Sequence, residues 1–311
     1  MFAEGATGTV AGVCLHAAPM SGTEHGRESG GMSEIDDRRN EIPWIGNPKD
    51  EGAGSEEMAT ADGRGRVRDF DHGSIYWTPE TGAHEVHGDI RVKFAQLGDW
   101  IGYPTTDETG CPDGVGRFNH FENGSIYWTP DTGAWEVHGA IRELWAQIGW
   151  ERSHLGYPVT DESSCPDGVG RFNHFQGGSI YWTPDTGAHE VHGAIRERWS
   201  QLGWERSHLG YPVTSETACP DGVGRFNHYQ GGSIYWTPDT GAHDVFGPVR
   251  DHWEKLGWER GRLRYPIADQ RTVGDGFDCR FQGGVVVWTP SGGARVQVPI
   301  DEGPEHKPVD E

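Results

Sequence analysis

Lysine is almost absent from this chain, and positive charge is scarce. Only Lys49, Lys93, Lys255 and Lys307 occur among 311 residues. Lysine and arginine together number 26 against 48 acidic residues, which gives a net charge of −22. Such a negative surface repels phosphate backbones, so we expect no nucleic-acid partner. No stretch approaches the ~20 consecutive apolar residues of a membrane-spanning helix, so we also expect no membrane span.

Glycine and aromatic residues are abundant instead. The chain has 48 glycines, and Phe, Trp and Tyr make up 11% of it. This balance favours many short strands joined by tight turns and closed by aromatic packing, rather than an aliphatic helical core. We therefore expect a mainly β fold with short helices.

The chain repeats itself five times. The heptapeptide Gly-Ser-Ile-Tyr-Trp-Thr-Pro occurs at 73–79, 124–130, 178–184 and 232–238, and an altered copy lies at 284–290. The tryptophans of these segments are 51, 54, 54 and 52 residues apart. Self-similarity at a period of about 50 residues is typical of repeat architectures, in which each unit buries its apolar surface against its neighbours.

A second motif precedes each heptapeptide. Leu-Gly-Tyr-Pro occupies 155–158 and 209–212, and variants lie at 45–48, 101–104 and 263–266. Together, the two motifs resemble the LGFP repeat of actinobacterial envelope proteins over roughly residues 33–296. The resemblance implies a non-catalytic module that is extracellular or wall-associated, binds cell-wall polysaccharide such as arabinogalactan, and closes five units into a ring. No signal peptide is evident near the N-terminus.

Each repeat combines a helix and a hairpin. In the segment 193–203, Ile195, Trp199 and Leu202 lie on one helical face, and Gly203 is suited to end the helix. Equivalent helices are expected at 90–97, 141–148 and 249–256, and at 33–42 with Ser33 as the N-cap. The complete prediction is five tandem repeats of about 54 residues, closed into a propeller-like, pseudo-five-fold ring. We expect this domain to span 31–298 in a monomer, between a disordered arm or signal remnant (1–30) and a disordered acidic tail (299–311).

The hairpin predicts two different sheet faces. A turn at Gly177-Gly178 would place Phe175 opposite Ile180 and His174 opposite Tyr181. Because side chains alternate, Phe175, Ile180 and Trp182 share one face, which we call the isoleucine face. Phe172, His174 and Tyr181 share the other, which we call the tyrosine face. All five repeats keep the aromatic, aliphatic and tryptophan positions of the isoleucine face, so we expect its tryptophans to be buried core residues: Trp77, Trp128, Trp182, Trp236 and Trp288.

The tyrosine face is the candidate ligand-binding surface. An aromatic ring flanked by hydrogen-bonding groups suits a sugar, whose C–H face stacks while its hydroxyls need polar partners. The candidate residues are Phe118, His120, Tyr127, Phe172, His174, Tyr181, Phe226, His228 and Tyr235. Repeats one and five depart from this pattern, so we expect three working sites. The alternative is that this face packs on the helix of its own repeat.

Other residues with catalytic or metal-binding chemistry have simpler explanations. The pairs Asp113-Gly114, Asp167-Gly168 and Asp221-Gly222 suit turns without an ion. The acidic pairs Asp107-Glu108 and Asp161-Glu162 are alike, whereas a glycosidase needs two carboxylates in unlike environments. We therefore expect no catalytic residues and no cofactor.

We also expect no metal site and no disulfide. His189 and His192 would point to opposite faces of a strand and could not chelate one ion. The same holds for His84 and His87. Cys111, Cys165 and Cys219 occupy one repeat position, and we expect them to be small buried thiols.

Three functions remain open from the sequence. The first is non-catalytic, multivalent binding of cell-wall polysaccharide, weak at each site and strengthened by repetition. The second is a scaffold for protein–protein interaction. The third is a propeller-type glycoside hydrolase.

Overall fold

The computed structural model describes residues 32–49 and 56–297. The predicted arm (1–30) and tail (299–311) lie outside the described residues. The chain divides into two compact units, Met1–Gly139 and Ala140–Glu311, which are described separately. Each repeat consists of a helix, the LGYP-type motif and an antiparallel four-stranded sheet whose strands follow chain order.

The first unit holds two repeats. Its helices are α1 (Glu34–Glu41) and α2 (Gly88–Leu97), each followed by a 3-10 turn, Pro43–Ile45 and Asp99–Ile101. Sheet one contains β1 (Met58–Ala59), β2 (Arg66–Asp69), β3 (Gly73–Thr78) and β4 (Gly82–His87). Sheet two contains β5 (Thr109–Gly110), β6 (Arg117–His120), β7 (Gly124–Thr129) and β8 (Gly133–His138).

The second unit holds three repeats. Its helices are α3 (Gly139–Ile148, whose first residue ends the first unit), α4 (Gly193–Leu202) and α5 (Gly247–Lys255), and their 3-10 turns are Trp150–Arg152, Trp204–Arg206 and Trp258–Arg260. Sheet three contains β9 (Ser163–Ser164), β10 (Arg171–His174), β11 (Gly178–Thr183) and β12 (Gly187–His192). Sheet four contains β13 (Thr217–Ala218), β14 (Arg225–Tyr229), β15 (Gly232–Thr237) and β16 (Gly241–Phe246). Sheet five contains β17 (Arg271–Val273), β18 (Gly276–Phe281), β19 (Gly284–Thr289) and β20 (Gly293–Gln297).

One predicted helix start, at Ser33, and one predicted helix end, at Gly203, agree with the structure. The Ser33 hydroxyl accepts the Asp36 amide at 3.1 Å and caps α1. Helix α4 ends at Gly203, which has φ +104° and ψ +27°. This left-handed conformation is easily adopted by glycine, so this predicted helix end is confirmed.

The predicted hairpin register is wrong by one turn position. Phe172 pairs with Tyr181, and Asn173 pairs with Ile180. The chain therefore turns at Gln176-Gly177 rather than at Gly177-Gly178. Moving the turn by one residue shifts the cross-strand partner of every residue by two positions. Since side chains alternate with a period of two, each residue stays on its predicted face, and the two predicted faces are correct.

The Gly-Gly pair is required for close packing, not for turn geometry. Neither Gly177 nor Gly178 has a positive φ. A Cβ on Gly177 would lie 2.1 Å from the carbonyl oxygen of His154, and one on Gly178 would lie 2.7 Å from Leu155 Cδ2. The LGYP-type motif therefore packs directly on the hairpin.

Helices α2, α4 and α5 each pack between two sheets. Helix α4 buries Ile195 and Trp199 in a cluster with Tyr181 of sheet three and Ile234 of sheet four. Helix α5 repeats this arrangement between sheets four and five, and α2 repeats it between sheets one and two. In sheets one, three and four the tyrosine face thus packs on the helix of the following repeat, whereas the alternative drawn from the sequence was the helix of its own repeat.

The predicted tryptophan core needs correction. Ile75, Ile126, Ile180, Ile234 and Val286 are fully buried, as expected. In contrast, Trp77, Trp128, Trp182, Trp236 and Trp288 are each partly exposed. The first four lie opposite the first residue of the preceding strand and Trp288 lies opposite the second, Phe277, so all five are at the open end of the hairpin. The Arg66 guanidinium covers Trp77 there at 4.1 Å. The fully buried tryptophans are Trp145, Trp199 and Trp253, all on helices.

Polar contacts also join neighbouring repeats. The hydroxyl of Tyr211, in the LGYP motif of repeat four, donates to Asp167 of repeat three at 2.7 Å. It also accepts the Gly170 amide at 3.0 Å. The buried Asn227 amide donates to the Glu190 carbonyl of the preceding sheet at 3.1 Å. The tyrosine of the motif therefore fixes the Asp-Gly turn of the repeat before it.

Two further expectations can be compared with the structure. Cys111, Cys165, Cys219 and Cys279 are buried free thiols, as expected for the first three. Among the described residues, no helix combines the length and apolarity required to span a bilayer.

We expect Trp199→Ala to lower the free energy of unfolding by about 3–5 kcal/mol, because it empties a fully buried site. Trp182→Ala should cost clearly less, since its ring is already partly in water. Chemical denaturation measures both. If Trp199→Ala does not fold, Trp199→Phe provides a milder variant. Helix α2 already carries a phenylalanine, Phe94, at the equivalent position. Equal losses for Trp199→Ala and Trp182→Ala would contradict the helix-centred core.

Candidate functional site

The tyrosine faces of sheets three and four each form the floor of an open cleft. Cleft four has a volume of about 520 Å³ and is lined by Phe226, His228, Tyr235, Trp258 and Glu259, among others. Cleft three is the equivalent arrangement of Phe172, His174, Tyr181, Trp204 and Glu205. In both, the sheet comes from one repeat, and the 3-10 turn beyond the next helix supplies the tryptophan.

The tryptophan at each cleft has an unusual backbone conformation. Among the described residues, four that are not glycine have a positive φ, and three of these are Trp150 (+56°), Trp204 (+59°) and Trp258 (+54°). A left-handed φ costs a bulky residue roughly 1–2 kcal/mol. Such strain is concentrated at functional sites, where the surrounding structure holds the residue in place.

Aromatic rings line the cleft in layers. The Phe172 and Tyr181 rings stack at 5.3 Å, and Trp204 lies nearly parallel to Tyr181 at 6.2 Å. Cleft four has the same order at 5.1 and 6.1 Å. The Arg196 guanidinium lies 5.2 Å from the Trp204 ring, and Arg250 lies 5.0 Å from Trp258.

A hydrogen-bond network fixes the protonation of the histidine. Arg196 Nε donates to the Ser179 hydroxyl at 2.7 Å. The single hydroxyl proton of Ser179 is then donated to Nδ1 of His174, also at 2.7 Å. Arg196 Nη2, which can only donate, also faces Nδ1 at 3.5 Å, so Nδ1 of neutral His174 is the acceptor and the ring proton lies on Nε2. Burial, assisted by the Arg196 charge, lowers the pKa of His174 to about 4, so the ring is neutral at pH 7. Nδ1 of His228 likewise contacts the Ser233 hydroxyl, which accepts from Arg250 Nε, and burial, assisted by the Arg250 charge, lowers the pKa of His228 to about 4.

Each cleft also contains a buried carboxyl group. Burial raises the pKa of Glu205 and of Glu259. Nearby, burial opposes the ionisation of Asp167, but hydrogen bonds from the Val169 amide and the Tyr211 hydroxyl lower its pKa overall. Asp167 also carries the hydrogen bonds of the Asp-Gly turn, with Gly168 at φ +75°. This turn needs no ion, as the sequence suggested.

The predicted sugar-binding residues divide into exposed and buried members. Phe118, His120, Phe172, His174, Phe226 and His228 are partly exposed, whereas Tyr127, Tyr181 and Tyr235 are buried. The Tyr181 and Tyr235 rings pack against helical tryptophans, with Trp199 4.7 Å from Tyr181 and Trp253 4.7 Å from Tyr235. They therefore cannot offer an open stacking surface, which corrects their expected role. In the first unit, Phe118 stacks on Tyr127 at 5.1 Å, and His120 Nδ1 contacts the Ser125 hydroxyl.

Sequence reasoning missed the tryptophans and arginines that complete the clefts. A signal was present, since Gly-Trp-Glu-Arg occurs at 149–152, 203–206 and 257–260. Sheet one lacks this aromatic arrangement. Asp69 binds Arg91, and the 3-10 turn 99–101 carries Asp99 at the position equivalent to Trp204. In sheet five, Asp278 is paired with Arg271, and Val287 replaces the tyrosine.

A second, polar cleft of about 760 Å³ lies in the first unit. Trp44, Glu85, His87, Glu108 and Arg117 contribute to its lining. Trp44 packs on His87 at 4.8 Å, and His87 contacts both Glu85 and Glu108. The acidic pair at 107–108 therefore belongs to a charge network, in which the Glu85 amide donates to Asp107 at 2.9 Å.

The same network recurs in repeats three and four. Burial disfavours the charged ring of His192, but its contacts with Glu190 and Glu216 raise its pKa to about 9. His154 occupies the place of Trp44 and lies 4.4 Å from His192, measured between ring centroids. His189 lies on the opposite face of β12 with its Nε2 at the Thr186 carbonyl, so His189 and His192 cannot share an ion, as predicted.

Comparison with known proteins identifies one sequence family. The model of the LGFP repeat matches residues 54–99, 101–153, 155–207, 209–261 and 263–298. No curated protein matches the sequence. Among solved structures, the wild-type TCP10 domain of Danio rerio CPAP is 12% identical, with a TM-score of 0.24 over 78% of this chain and 94% of that one. A streptogramin B lyase structure is 9% identical, with a TM-score of 0.15 over 82% and 72%. Similarities this low carry no argument about function.

We expect acid to destabilise the protein through His174 and His228. Their pKa is about 4 when folded and near 6.5 in an unfolded chain, so the unfolded chain binds more protons between these values. The free energy of unfolding should therefore fall as the pH decreases from 6.5 to 4. Denaturation across this range should show a smaller decrease for the double variant His174→Gln/His228→Gln. An unchanged pH dependence, or an NMR-titrated pKa near 6.5 for His174, would contradict the buried network.

Proposed function

The chain belongs to the LGFP repeat family, and we propose that it is a non-catalytic, multivalent binder of cell-wall polysaccharide. The observation that carries the proposal is the pair of equivalent clefts, each completed by a strained tryptophan above a neutral histidine. The family resemblance suggests arabinogalactan as the polysaccharide and an extracellular, wall-associated location.

The chemistry of each cleft suits a sugar. The exposed parts of Trp204 and Phe172 offer apolar surface to the C–H face of a pyranose or furanose ring. His174 can donate its Nε2–H to a hydroxyl oxygen, and the buried Glu205 offers a further polar group nearby. An open cleft with rings on one side and a few fixed polar groups is typical of small-ligand sites.

Repetition would make weak sites effective. Clefts three and four have the same residues in the same order, and sheet two carries the corresponding Phe118, His120 and Tyr127. A polymer that occupies several sites at once can gain about 10²–10⁴ in affinity without any new contact. We therefore propose three working sites, on sheets two, three and four.

The hydrolase alternative is favoured by one observation. Glu205 and Asp167 have pKa values shifted in opposite directions, as a glycosidase requires of its two carboxyl groups. However, Asp167 already receives hydrogen bonds from the Tyr211 hydroxyl and the Val169 amide, which gives it a structural role. We therefore propose binding without catalysis. Release of reducing sugar ends from purified wall polysaccharide would support hydrolysis instead.

We expect Trp204→Asn and Trp258→Asn each to weaken the binding of purified arabinogalactan by about 2–10-fold, because an aromatic contact contributes roughly 0.5–1.5 kcal/mol. Asparagine tolerates a left-handed φ, so the backbone should be retained. The double variant should lose more than either single variant, since multivalency is lost as well. Co-sedimentation with the polysaccharide, competed by its soluble form, measures the effect.

The matched control is Trp100→Asn, which removes a tryptophan that is 44% exposed and lies outside the clefts. It should bind like the parent. If the double variant remains folded and also binds like the parent, the clefts are not the sites. If the parent ignores polysaccharide and binds a wall protein, the scaffold function is supported instead.

We also propose that the five repeats close into a ring. Among the described residues, no helix follows sheet five and no sheet precedes α1. Closure would supply each with a partner. Small-angle X-ray scattering should then give a radius of gyration of about 20 Å, the value for a compact chain of this length. A clearly larger radius with an elongated distance distribution would show an open string of repeats.

A further inference from the structure

Two imidazoles and one carboxylate meet at the end of sheet three. Nδ1 of His192 lies 2.8 Å from Oε2 of Glu190, and Nε2 of His154 lies 3.5 Å from the same oxygen. One ligand atom from each residue falls within 4.8 Å of the other two. Two ligands that are each 2.0–2.1 Å from a tetrahedral ion are about 3.4 Å apart, so small side-chain movements would seat an ion among all three.

We propose that His154, Glu190 and His192 bind a divalent transition-metal ion, with Zn²⁺ as the expected occupant. Two imidazole nitrogens and one carboxylate oxygen form a ligand set that suits zinc, whereas calcium and magnesium prefer oxygen ligands alone.

The surroundings of His192 support a metal ligand. Its second ring nitrogen, Nε2, lies 3.0 Å from Oε1 of Glu216, which is itself held by Arg225. A histidine that ligates a metal through one nitrogen almost always donates its other N–H to such a carboxylate or to a carbonyl. With Nε2–H directed at Glu216, an ion would displace the proton that lies between Nδ1 of His192 and Glu190, and would bind the Nδ1 lone pair there.

Access to the cluster is open on one side. Glu190 is only 3% exposed, while the His154 side chain is 45% exposed. The ion would therefore bind at the surface, tie the loop before the LGYP motif to strand β12, and keep a coordination position for water. Three protein ligands with an open position differ from the closed four-ligand pattern of purely structural zinc sites.

The other repeats provide natural controls. Among the repeats in which the structure describes all three equivalent residues, no other combines two imidazoles with a carboxylate. In repeats one and two, Trp44 and Trp100 occupy the position of His154 and pack on the histidines. In repeat four, His208 and Asp244 are retained, but Phe246 replaces His192, and Arg198 neutralises Asp244 at 2.8 Å. The repeats share the same backbone here, so the ligand set depends on which side chains occupy the three positions.

The experiment titrates ZnCl₂ into chelator-treated, full-length protein and follows binding by calorimetry. Co²⁺ serves as a second probe, through its visible absorption when four-coordinate. We expect one saturable site that raises the melting temperature, and its loss in His154→Ala and His192→Phe. Glu216→Gln should weaken binding by about 10–100-fold, because it removes the partner that orients His192.

The matched controls are His208→Ala, the same position in the next repeat, and His189→Ala, on the opposite face of the same strand. Both should bind zinc like the parent. Phe246 shows that this backbone accepts phenylalanine at the position of His192, and near-UV circular dichroism verifies that His192→Phe is folded. The proposal is overturned if the parent binds no zinc, or if His192→Phe binds it as tightly as the parent. In either case the cluster is an ion-pair network alone.

Discussion

The central constraint on this fold is that every sheet has two apolar faces, while each repeat brings one helix. Neighbouring sheets therefore share a helix, and α4 covers both the tyrosine face of sheet three and the isoleucine face of sheet four. The polar contacts of Tyr211 and Asn227 cross the same boundary. The clefts follow from this sharing. Helix α4 ends at Gly203 and leaves part of the tyrosine face uncovered, so the next turn brings Trp204 over that gap.

Much of the fold could be predicted from periodicity alone. Ile195, Trp199 and Leu202 identified α4, and alternation along the hairpin assigned Phe172 and Ile180 to opposite faces. The register could not be predicted, because the Gly177-Gly178 pair suggests a turn although it serves close packing against the LGYP motif. The tryptophan core was misjudged for a related reason. Trp182 recurs in every repeat, but its strand position lies at the open end of the hairpin, whereas Trp199 lies at the centre of an interface.

The candidate sites were partly accessible from sequence. His174 and Phe172 were identified because they share a face with Tyr181. The burial of Tyr181 was not predicted, since the helix that covers it belongs to the following repeat. Trp204 was missed because no propensity places a bulky aromatic residue at a left-handed φ. The cluster around His192 was missed for a third reason. Its partner His154 is 38 residues away in the chain, and only the fold brings the two together.

The left-handed tryptophans set stability against recognition. At Trp204 and Trp258 a glycine would relieve the backbone strain of roughly 1–2 kcal/mol but would also lose the packing of the indole on the core cluster. Selection for thermal tolerance alone would weigh only these two terms and would ignore any ligand. Persistence of the indole rings through such a screen would show that the surrounding packing, rather than a ligand, holds them there.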